Sequence, residues 1–121
     1  MAESILRIKS KQFAVDIIYA CREMRKNKVE YALIDQLLRS GTSVGANIHE
    51  AQFAHGTKDF ISKLEIALKE CNECDYWLDI LLSTQSIDTN MLSAECDEIR
   101  KILISSVSTL KSKQKPDAGS N

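Results

Sequence analysis

Cys71-Asn72-Glu73-Cys74 is formally a C-x-x-C pair, a spacing that can support thiol–disulfide exchange or supply half of a zinc site. Redox use wants such a pair at a helix N-terminus, where the dipole lowers a thiol pKa. Here it falls mid-helix on an apolar stripe, which assigns it to core packing. A zinc site would need two more ligands, and Cys96 and Cys21 are the remaining cysteines. His49-Glu50 with His55 points loosely to a metal, but H-E-x-x-H fails because position 53 is Phe. The Glu-x-x-His of di-iron bundles occurs nowhere in the chain. Glu50, Glu65, Glu70 and Glu73 could serve as acid/base groups if buried together. Their ordinary alternative is a solvated or subunit-facing charge set. Ser43 and His49 would sit about 120° apart on one helix. Gly41 and Gly45 lie inside a helical pattern and not after a strand, so they do not form a phosphate loop. No catalytic residue, metal ligand, cofactor or small-molecule substrate is assigned, and an enzyme is not expected.

The elements that position these residues are all helical. One proline and four glycines in 121 residues argue against a strand-rich fold. The first helix is expected from about Glu3 to Lys26, with Leu6, Ser10, Phe13, Ile17, Ala20 and Met24 on its core stripe. Ile5, Ile8, Val15 and Ile18 give it a second apolar side, more than one bundle seam requires and a pointer to an oligomer interface. The second helix is expected from Tyr31 to Ala54, closed by Gly56, with Thr57 capping the next. The third runs from Lys58 to Leu82 on Phe60, Leu64, Ala67, Cys71, Cys74, Leu78 and Leu81. The fourth follows an Asp88 or Thr89 cap and carries Leu92, Cys96, Ile99, Leu103, Ser106 and Leu110. Similar lengths and short loops predict an all-α, antiparallel up-down-up-down four-helix bundle. Residues 1–110 form this single domain, and residues 111–121 are expected to be a disordered basic tail.

Within the second helix, residues 39–53 (RSGTSVGANIHEAQF) are crowded with residues that lower helix propensity. The apolar spacing nevertheless continues through Ile34, Leu37, Gly41, Val44, Ile48 and Ala51. The combination predicts a tight seam that lets another helix approach closely. Beside it runs a polar stripe of Ser43, Asn47 and Glu50, assigned to an oligomer interface or a structural role. A carboxylate at Glu50 would want a donor, from the first helix or from a neighbouring subunit.

Net charge is −1, which argues against a strong general polyanion binder. Residues 1–40 nevertheless carry +3, residues 41–100 carry −7 and residues 101–121 carry +3. Arg7, Lys11, Arg22 and Arg25 fall on broadly one face of the first helix. With Lys111, Lys113 and Lys115 they are the candidate nucleic-acid contacts, weak singly but additive in a ring of subunits. No aromatics interleave with them in sequence to offer stacking platforms. No signal-peptide core and no membrane span is recognisable. With four cysteines at apolar positions, the expectation is a cytoplasmic protein with reduced thiols and no membrane partner.

A specific pattern runs through this chain: Asn47-Ile48-x-Glu50, then Asp59-Phe60-Ile61, then Ile66-Ala67-x-x-Glu70-x-x-Glu73. Over roughly residues 10–110 it resembles the four-helix-bundle family of proteins encoded in 23S rRNA intervening sequences. The resemblance implies a homo-oligomer, a pentamer in particular, with a poorly defined biochemical role. A related branch, the accessory proteins of diversity-generating retroelements, forms basic pentameric barrels that work with a reverse transcriptase and nucleic acid. The resemblance therefore implies an interaction or scaffold protein, with RNA or DNA binding as the alternative.

Overall fold

The computed structural model describes residues 2–114, and among them every regular element is helical. They are α1 (Ala2–Lys26), α2 (Tyr31–Ala51), α3 (Thr57–Ser83) and α4 (Asn90–Lys113). Each helix packs on its chain neighbour, and α4 closes against α1; the diagonal pairs make no close backbone contact. The result is the expected antiparallel four-helix bundle. Its tightest pair is α2 with α3, and its loosest is α1 with α4.

The apolar stripes explain why these segments fold together. All six residues of the α2 stripe, Ile34, Leu37, Gly41, Val44, Ile48 and Ala51, are buried. They meet Phe13, Ile17 and Met24 of α1, Leu64, Leu78 and Leu81 of α3, and Ile99 and Leu103 of α4 in one core. Burying each of the large apolar side chains among them contributes about 1.5–3 kcal/mol. Three stripe positions differ from the sequence reading. Cys21 is fully buried while Ala20 only packs against the core; Ile61 replaces Phe60, and Val107 replaces Ser106 and Leu110. For Cys21 and Val107 the cause is the helix period: a strict heptad drifts by about 20° per repeat on a straight helix, so the buried position moves on by one toward the C-terminus. Ile61 lies near the start of α3, where the drift runs in the opposite sense and does not explain it.

The ends are set by local chemistry. Lys28 and Gln85 adopt left-handed backbone at φ 59°, although neither is glycine. Each closes a helix: the Val29 N–H bonds the Met24 carbonyl at 3.0 Å, and the Ser86 N–H bonds the Leu81 carbonyl at 2.9 Å. These are Schellman-type closures, in which the backbone bond outweighs the left-handed cost. α2 stops at Ala51, and Gln52, Phe53 and Ala54 follow as tighter turns, their N–H groups bonding the carbonyls of His49, Glu50 and Ala51 three residues back instead of four. Gly56, at φ 111°, is the N-cap of α3 and not the C-cap of α2, and Thr57 is the first helical residue. The Asp59 carboxylate accepts the His55 N–H at 3.0 Å. At α4, Thr89 occupies the cap position but is buried, its hydroxyl donating to the Leu78 carbonyl at 3.0 Å. Asp88 supplies the capping contact, accepting the Asn90 N–H at 3.0 Å. α4 runs through Lys113, so Lys111 and Lys113 are helical and are not part of a disordered tail. Lys115 and the rest of the expected tail lie outside the described residues.

Candidate interaction surface

The small residues of α2 are used within the chain. A Cβ at Gly41 would stand 2.8 Å from Ile17 Cγ1, and one at Gly45 would stand 3.2 Å from the Ser10 carbonyl oxygen. The helix that approaches this seam is therefore α1 of the same bundle. Of the polar stripe beside it, Asn47 donates through Nδ2 to the Ser43 carbonyl at 2.9 Å, inside its own helix. Ser43 and Asn47 are half-buried, and Glu50 is exposed. Among the described residues Glu50 makes no ion pair. The stripe thus has no donor from α1.

Along the α1–α2 seam, beside the Ser10–Gly45 approach, lies an open groove of about 680 Å³. Arg7 and Lys11 of α1 and His49 of α2 line it, with Ile8, Gly45 and Ala46 among the apolar and small residues around them. Arg7, Lys11, Arg22 and Arg25 fall within about 60° of one another around α1, and span about 27 Å along it. Arg22 stands over the Tyr19 ring at 5.6 Å, and Arg25 stands over the Tyr31 ring at 5.9 Å. Tyr19 and Tyr31 are 62% and 65% exposed. Tyr19 and Arg22 are i,i+3 neighbours, a signal the sequence reading overlooked, whereas Tyr31 belongs to the next helix and its pairing with Arg25 is not legible from spacing.

The C-terminal lysines do not join this face. Lys111 is drawn to Glu65 of α3 at 2.6 Å. Lys113 is exposed at the end of α4, beside Ala2 and Leu6. Lys115 lies outside the described residues.

The expected second apolar side of α1 points away from the core. Ile8 is 70% exposed and Ile5 42%, while Val15 and Ile18 are half-buried. Tyr19 continues the same outer side.

Glu70 and Glu73 have a partner that sequence reasoning did not find. Arg39 of α2 donates through Nη1 to Glu70 at 3.2 Å and through Nη2 to Glu73. Trp77 Nε1 adds a bond to Glu73 at 3.2 Å. Two glutamates three apart on a helix side are the signal that could have located it, since they invite a cation from the neighbouring helix. The Arg39 hydrogen bond, followed by that of Trp77, holds the Glu73 carboxyl below the usual glutamate range. A depressed folded pKa means stability present above the unfolded value and lost as pH falls through the folded one. Arg39→Ala should therefore cost about 1 kcal/mol, because the fork is partly exposed. It should also weaken the dependence of stability on pH at the acid end, which urea melts at several pH values would read. An unchanged midpoint would show that the fork is dispensable.

The thiols are core groups. Cys21, Cys71, Cys74 and Cys96 are free and buried. The Cys96 sulfhydryl donates to the Cys71 carbonyl at 3.5 Å. Contact with the Cys96 sulfur, and then burial, push the Cys71 and Cys74 thiols far above the ordinary range. Burial raises Cys21 to about 11. Among the described residues, no group of three His, Cys, Asp or Glu side chains is placed to hold a metal ion. No described helix is long and apolar enough to cross a membrane.

These features define an all-α bundle whose distinctive chemistry lies on helix faces. The chain belongs to the family of 23S rRNA-intervening sequence proteins, whose pattern matches residues 3–105. It is 41% identical to a crystallised protein of unknown function from the S23 ribosomal protein family of Bacteroides thetaiotaomicron, with a TM-score of 0.86. The match covers 89% of this chain and 99% of that one. No curated protein matches the chain. The family pattern now has a physical content. Ile48, Ile61 and Ala67 are core residues, Asp59 closes the start of α3, and Glu70 with Glu73 ties α3 to α2.

Proposed function

We propose that the protein is a non-enzymatic, self-associating helical bundle that serves as an interaction scaffold. The observation that carries this reading is the outer side of α1, where Ile5, Ile8 and Tyr19 stand exposed in a line no other helix covers. Water contact at Ile8 is costly, and burying it against a second copy recovers about 25 cal/mol per Å² of apolar surface. Family likeness supports a ring of five. Free thiols suit a cytoplasmic setting.

A second reading is favoured by the Arg22–Tyr19 and Arg25–Tyr31 pairs. They place cations and exposed rings side by side, the combination used by single-stranded nucleic acid, whose phosphates and bases both need partners. Arg7 and Lys11 extend the same face toward the α1–α2 groove.

One experiment addresses both readings. Light scattering after size exclusion gives the mass, and absorbance at two ultraviolet wavelengths gives nucleic acid on the same peak. A multimer that falls to monomer in Ile8→Asp supports self-association, whereas a monomeric native chain overturns it. Nucleic-acid absorbance that disappears at high salt or in Arg22→Ala/Arg25→Ala brings the second reading forward. Its absence at low salt removes that reading.

A further inference from the structure

Among the described residues, the buried side-chain atom without a hydrogen-bond partner is Oε1 of Glu95. Glu95 lies in the second turn of α4, one turn before Glu98, which pairs with Lys9 of α1. In the antiparallel α1–α4 register this brings the Glu95 carboxyl to the stretch of α1 that carries Gln12 and Asp16. Such a meeting of two acids normally requires a cation. Among the described residues, the cations with contacts near this seam are already paired. Lys9 of α1 is bound to Glu98 at 2.9 Å, and Glu98 adds a further negative charge on α4 itself. On the other packed side of α4, Arg100 is held by Asp97 and by Asp75 of α3. Asp16 has one neutral donor, Gln12 Nε2, at 2.9 Å. That bond stabilises Asp16 as an acceptor at Oδ1, whereas Glu95 has a buried carboxyl oxygen without a partner and is the acid better served by holding the proton.

We propose that Glu95 and Asp16 share a single proton across the α1–α4 seam, forming a pH-operated latch between these two helices. Glu95 carries the proton and donates it, and Asp16 remains the charged acceptor. When Glu95 ionises the proton passes to solvent, and two like charges face each other in a half-buried seam. This seam is the loosest in the bundle, so the α1–α4 contact is the one that yields.

The sign follows from linkage. Burial, then the Asp16 hydrogen bond and charge, then the Glu98 charge, raise the Glu95 carboxyl from 4.5 to about 7. The folded chain thus binds the proton more tightly than the unfolded chain. Its contribution to stability is complete below the unfolded value, falls as pH rises, and is gone above the folded value.

The test is a carbon-detected NMR titration of the glutamate carboxyls in the full chain, together with thermal unfolding from about pH 5 to about pH 8. One glutamate should titrate near neutrality, and in Asp16→Asn that midpoint should fall toward the ordinary carboxylate range. The native chain should lose thermal stability across the interval, whereas Glu95→Gln, which keeps a donor toward Asp16, should give a flatter profile. Were Glu95→Gln not to fold, the titration of the native chain decides by itself. All glutamates titrating at ordinary values, or superimposable melting profiles for the native chain and Glu95→Gln, would overturn the latch.

Discussion

Gly41→Val should destabilise the bundle by about 3 kcal/mol, the upper part of the range for forcing atoms into a packed core. The reason is local. A Cβ at this position meets Ile17 Cγ1 at 2.8 Å, with Cδ1 and Cγ2 both at 3.1 Å. Ile17 is fully buried, so its side chain cannot swing into solvent to make room. Replacing a mid-helix glycine ordinarily gains about 0.5–1 kcal/mol, too little to offset the clash. Gly41→Ala is the milder arm, where gain and clash come closer to cancelling. Trimming the neighbour by Ile17→Ala should recover part of the loss in the double variant, a coupling that only contacting residues show. Urea midpoints for the native chain and the four variants provide the measurement. A valine variant as stable as the native chain would mean that α1 and α2 do not meet at this point.

Phe13→Ala is expected to cost about 3–5 kcal/mol, because deleting a fully buried ring removes its transfer energy and leaves a cavity. Phe13 is among the largest side chains with no solvent exposure, and it lies midway along α1. For a domain of this size that loss corresponds to a fall of roughly 10–20 °C in Tm. Calorimetry or circular dichroism would read it directly. A fall of a few degrees would show that α1 repacks around the gap, as the loose α1–α4 seam could permit.

The legible part of this fold was the part written in one helix at a time. The α2 stripe was read in full because apolar spacing alone determines which side of an amphipathic helix is buried. The slip from Ala20 to Cys21 was not legible, since two adjacent small apolar residues satisfy the same period. Lys28 and Gln85 gave no sign of left-handed backbone, because the sequence mark of that conformation is glycine or asparagine. The surface was legible only in pieces. The basic side of α1 was read from spacing, whereas Tyr31 beneath Arg25 depends on how α1 turns into α2. The Arg39 fork joins positions 31 and 34 residues apart, beyond the reach of periodicity. Ser43, Asn47 and Glu50 were visible as a stripe, yet Asn47 turns inward to its own helix, a choice no spacing encodes.

The four cysteines give the molecule a built-in clock. They belong to α1, α3 and α4, and none has solvent contact in the closed bundle. A thiol reagent therefore finds nothing to modify until a helix lifts away, and each labelling event is dated by an opening. Cys21, set against the Ile34 carbonyl, reports opening between α1 and α2, while Cys96, set against Cys71, reports together with Cys71 and Cys74 on the seam between α3 and α4. The order in which they become reactive is the order in which the bundle comes apart.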